Sequence, residues 1–84
     1  MERGRPVKNF YKTDTSFSVR LREVMNIRDV PTKELAAELR MSREAVGQWR
    51  RGVCEPSFEM LADICRELDV SADYLLGITD TMED

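Results

Sequence analysis

The sequence predicts an all-α domain of five short helices. Three observations carry this: apolar residues recur at spacings of three and four from Phe17 onward, serine start signals and glycine stops divide that pattern into short runs, and no strand-like alternation interrupts it. With 84 residues, 42% hydrophobic and 35% charged, the chain has room for one domain with one modest core, and its composition is globular rather than disordered.

Residues 1–15 (MERGRPVKNFYKTDT) show no periodicity and mix Arg3, Arg5 and Lys8 with Gly4 and Pro6, so a flexible basic N-terminal arm is expected. A first helix is predicted over 17–27, with Phe17, Leu21, Val24 and either Ile27 or Arg28 on its apolar face. Pro31 ends the break that follows, because proline disfavours helix in the residue before it and suits the start of the next one. A second helix over 32–39 turns Leu35, Ala36 and Leu39 inward.

The third helix, 43–51, is expected to be capped by Ser42, stapled by Met41 against Val46, and stopped at Gly52. Ser57 caps a fourth helix with Leu61, Ile64, Cys65 and Leu68 on one face, and Ser71 caps a fifth that ends at Gly77. Residues 16–78 form the domain in this division, followed by an acidic tail, 79–84.

Composition excludes several function classes. No apolar run approaches the roughly 18 residues that would suggest a membrane span, and the N-terminus lacks a secretory pattern, so a cytoplasmic protein is expected. Cys54 and Cys65 lie too far apart for a CxxC pair, and the chain has no histidine. Reduced structural thiols, no metal and no cofactor are the expectation. Without histidine, a phosphate-binding glycine loop or a nucleophile beside a base, an enzyme is not expected.

The net charge of −3 hides an uneven distribution. Residues 1–16 carry +2, residues 17–52 carry +3, and residues 53–84 carry −8. One part of the molecule can therefore face phosphates while another stays acidic.

The stretch TKELAAELRMSREAVGQWRRG, residues 32–52, places two short helices around a tight turn. It resembles the helix-turn-helix of the phage repressor and Cro class, also called XRE-like. Ala36 stands at that family's small packing position, and Val46 and Trp49 stand at its inward positions. The resemblance extends over residues 17–77, including PSFEMLADICRELDVSADYLLG.

The resemblance implies a five-helix lambda-repressor-like fold and sequence-specific binding of double-stranded DNA as a transcriptional repressor, encoded by a bacterium or phage and associated with the nucleoid. The helix over 43–51 becomes the recognition helix, with Arg43, Glu44, Gly47 and Gln48 at the base-reading positions. Chemistry agrees: arginine matches guanine, glutamine matches adenine, and a carboxylate accepts from cytosine. Gly47 costs about 1 kcal/mol of helix propensity against alanine, so something is expected to benefit from its missing side chain.

Phosphate contacts are expected from Thr32 and Lys33 at the start of the second helix and from Ser42, Arg50 and Arg51, while Arg3, Arg5 and Lys8 fit either arm contacts to a groove or the backbone or an idle tail. A homodimer on a pseudo-palindromic operator is the expected assembly. Tyr74, Leu75, Leu76, Ile78 and Met82 are its candidate contacts, the first three doubling as core candidates.

The chain departs from the family in three places. Arg40 stands in the turn where members usually have glycine, so a left-handed backbone there would carry about 1–2 kcal/mol of strain. Met25 and Arg50 replace the usual Arg–Glu pair, and Val53, Cys54 and Glu55 replace a usually basic loop. An alternative reading is a protein-interaction module, such as an antitoxin or antirepressor partner, that uses the acidic residues 53–84.

Overall fold

Five helices follow one another in the computed structural model, which describes residues 16–83: α1 (Phe17–Arg28), α2 (Thr32–Leu39), α3 (Arg43–Arg51), α4 (Phe58–Leu68) and α5 (Ala72–Leu75). There is no strand among the described residues. The arm over 1–15, with Arg3, Arg5 and Lys8, lies outside them.

Local chemistry sets the boundaries. The hydroxyl oxygens of Ser42, Ser57 and Ser71 accept from the amides of Ala45, Met60 and Tyr74 at 3.0–3.1 Å, satisfying donors that a helix start leaves open. At the other ends the chain turns through the left-handed region at Asp29, Arg40, Gly52 and Asp69. Aspartate tolerates that region and glycine favours it, whereas Arg40 (φ 59°) does so at a steric cost. A Cβ at 52 would also lie 3.2 Å from the Ser18 Oγ of α1, which would have to give by a few tenths of an ångström.

The core gathers Leu21, Val24 and Met25 of α1, Leu35, Ala36 and Leu39 of α2, Val46 and Trp49 of α3, Ile64 and Leu68 of α4, and Tyr74 and Leu75 of α5. Met41, Leu61 and Cys65 pack on it half-buried. In α1 the apolar stripe turns differently from the expectation: Met25 is buried, while Ile27 is 55% exposed. Arg28, at the end of that stripe, instead donates to the carbonyls of Leu68 and Asp69, tying α1 to the end of α4.

The C-terminal segment also differs from expectation. Helix α5 stops at Leu75, and Gly77 (φ 81°) sits in the turn that follows. Residues 79–82 are held to the domain. Buried Arg20 donates from Nη1 to the Tyr74 and Thr79 carbonyls and from Nη2 to Asp80, its guanidinium 4.0 Å from the Tyr74 ring centre. The Ser71 amide donates to the Met82 carbonyl at 2.7 Å. Among the candidate dimer contacts, Tyr74 and Leu75 are core; Leu76 and Ile78 are exposed, and Met82 packs on the core.

Candidate nucleic-acid interface

The face of interest is set by what holds α3 from behind. Fully buried Val46 and nearly buried Trp49 fix the helix against α1 and α2, leaving its other side to solvent. Ala36, buried on α2, has no side chain beyond Cβ, which lets α3 approach closely. The turn between them is closed by the Arg40 and Met41 amides, which donate to the carbonyls of Ala37 and Ala36.

The four expected base-reading positions lie together on the open side: Arg43 and Glu44 are exposed, and Gly47 and Gln48 are half-exposed. Arg43 has no hydrogen bond or ion pair among the described residues. Glu44 near the positive end of α3 and Arg50 and Arg51 near its negative end complement the helix dipole. The Gln48 Oε1 accepts from the Cys54 thiol at 3.5 Å. Cys54 is exposed, not the buried structural thiol expected, because it falls in the exposed segment between α3 and α4.

The expected phosphate positions form a rim along the start of α2 and both ends of α3. Lys33 is exposed at the start of α2, whose N-cap, Pro31, supplies no side-chain acceptor to the first amides. Thr32 Oγ1 accepts from the Arg50 guanidinium, so the arginine that replaces the family's glutamate reaches the first turn of α2. Ser42 Oγ accepts the Ala45 amide, and its own hydrogen remains available for donation.

One residue was missed by sequence reasoning: Arg22 of α1 donates to the Arg50 carbonyl. Arg22 and Arg50 rim an open cleft shared with Asn26 and Asp29. In the sequence Arg22 is one charge on the polar side of the first helix, and nothing in its spacing points to α3.

A family model described as Helix-turn-helix matches residues 21–75. The chain belongs to the helix-turn-helix family. The fold of this helix-turn-helix protein is similar to the crystal structure of the P22 c2 repressor in complex with synthetic operator 9T in the presence of Tl+, with a TM-score of 0.72 and 27% identity. That similarity covers 79% of this chain and all of the other. No curated protein matches the chain at a significant level. Among the described residues, no helix of this helix-turn-helix protein is long and apolar enough to cross a membrane.

Proposed function

We propose that this helix-turn-helix protein is a sequence-specific, double-stranded DNA-binding repressor that places α3 in the major groove. The observation that carries the proposal is the exposed side of α3, braced by Val46 and Trp49 and bearing polar side chains of the kinds that match base edges. The P22 c2 repressor, similar in fold and bound to an operator, supports it.

Arg43, Glu44 and Gln48 read bases, with Gly47 on the same face between them. Thr32, Lys33, Ser42 and Arg50 line the phosphates on either side, and Arg22 adds a cation beside Arg50. Phosphate contacts set position and register, whereas base contacts set sequence. The protein acts as a homodimer on a pseudo-palindromic operator, with exposed Leu76 and Ile78 available to a second copy. It represses by occupying the operator and works as a binding protein, not as an enzyme.

Selection of binding sites from random duplexes tests this, followed by titration of the enriched and a scrambled duplex at two salt concentrations. A preference of about 10³-fold or more, with affinity for both falling as salt rises, is expected. A chain that enriches no sequence and binds both duplexes independently of salt would sink the proposal.

A further inference from the structure

Arg51 is the last residue of α3 and sits farthest from the end of the helix that ordinarily meets bases. Its angular position says otherwise. With about 100° between successive residues, Glu44 and Arg51 lie about 170° from the inward Val46–Trp49 midline, Gly47 and Gln48 about 130°, and Arg43 about 90°. Arg51 is thus rooted on the outermost line of the reading face.

Its reach explains how a C-terminal residue joins the others. Side chains on a helix lean toward its N-terminus, and Arg51 does so: a Cβ added to Gly47 would lie 3.1 Å from the Arg51 Nη1. The guanidinium therefore lies over position 47, one turn back along the helix, where an added Cβ would push it aside by a few tenths of an ångström and a longer side chain by more. Arg51 is exposed and makes no hydrogen bond or ion pair among the described residues.

From this we infer that Arg51 is a specificity-determining residue that reads a guanine, and that Gly47 is glycine to seat its guanidinium. The inference rests on the DNA-binding function proposed above. It assigns Arg51 to the base edges of the major groove, where its paired donors match guanine O6 and N7.

The test is site selection with wild type, Arg51→Ala, Arg51→Lys, Gly47→Ala and the double variant Gly47→Ala/Arg51→Ala, with affinities on the selected and a scrambled duplex. Arg51→Ala should lose preference for guanine at one position of each half-site, weakening binding to the selected duplex about 5- to 150-fold more than to the scrambled one. Arg51→Lys should recover overall affinity but only part of the preference, since an ammonium lacks the planar fork. Gly47→Ala should weaken the same position, and should have no further effect once Arg51 is alanine.

Gly47→Ala adds helix propensity, so loss of folding does not obscure the outcome, and thermal melting of each variant checks it. Equal weakening on both duplexes, with the selected sequence unchanged, would make Arg51 a phosphate contact and overturn the inference while leaving the proposed function standing. A wild-type chain that selects no sequence overturns both.

Discussion

Arg40 shows how much a residue can cost where the fold demands it. Its left-handed backbone (φ 59°) closes the turn on which the placement of α3 depends, and its Cβ makes that conformation unfavourable by about 1–2 kcal/mol. Arg40→Gly removes the strain but also loosens the unfolded chain, offsetting about 0.4–1 kcal/mol. The net gain of about 0–1.6 kcal/mol, about 0.8 at mid-range, should raise Tm by about 3–6 °C in calorimetry; a lower Tm would show that Arg40 is accommodated without strain. Tyr74 gives a second residue-scale expectation. Its hydroxyl donates to Glu23 Oε1 at 2.6 Å, and this bond, then burial, then the Glu23 charge raise its pKa above 10.0, with Asp80 adding to the shift and Arg20 opposing it. A raised folded pKa favours the neutral phenol, so its contribution to stability is whole below pH 10.0 and is lost as pH climbs through the folded value. Urea unfolding at neutral and strongly alkaline pH should show Tyr74→Phe less stable than wild type at neutral pH and the gap narrowing above pH 10.0. A gap independent of pH would mean that the phenol ionises alike in both states.

At the scale of elements, the helix starts were legible because serine hydroxyls that cap amides announce themselves in sequence. Ser42, Ser57 and Ser71 all act as expected, and α2 and α3 have the expected bounds. What was not legible depends on partners distant in sequence. Met25 is buried and Ile27 exposed because α1 turns toward helices that its own periodicity does not identify. Arg20 reads as a surface charge until residues 74–80 fold back to meet it. The expected base-reading positions follow from the pattern and resemblance, but the closeness of Gly47 to Arg51 needs a side-chain direction that a string of letters lacks. Helices α2 and α3 also divide the expected labour. Lys33, exposed at the start of α2, is assigned to a phosphate by the proposed function, and Arg43, exposed at the start of α3, to a base. Lys33→Ala should therefore weaken selected and scrambled duplexes alike and flatten the log affinity against log salt slope by about 0.9. Arg43→Ala should relax preference at one base position by about 1–3 kcal/mol. Matching behaviour of the two variants, on both duplexes and in salt slope, would refute the division.

For the whole molecule, the separation of charge bears on how the proposed DNA contact and the proposed pairing of two copies combine. Residues 17–52 carry +3 and include α1, α2 and α3, whereas residues 53–84 carry −8 and include α4 and α5. Helix α3 packs on α1 and α2, while α4 packs on α2 and α5 packs on α1 and α4. Acidic residues also flank in the chain the surface assigned to a partner copy: exposed Leu76 and Ile78 lie between Asp73 and Asp80, the latter paired with Arg20. Two such surfaces repel each other across water, and the apolar gain from two exposed side chains per copy is small. Pairing is therefore expected to be weak in free solution and to become effective on an operator that holds two copies side by side, because the duplex raises their effective concentration. Half-sites one turn apart place two α3 helices about 34–36 Å from each other on one side of the DNA. Inserting about five base pairs, half a turn, sends the second copy to the opposite side and should reduce affinity to that of one isolated half-site. Inserting a full turn returns both copies to the same side but adds about 34 Å between them, so direct contact is lost there too and affinity should again be that of an isolated half-site. Titration of the three duplexes, with stoichiometry read by light scattering, measures this. Equal affinity and one chain per duplex on all three would show that this repressor reads its site as a monomer.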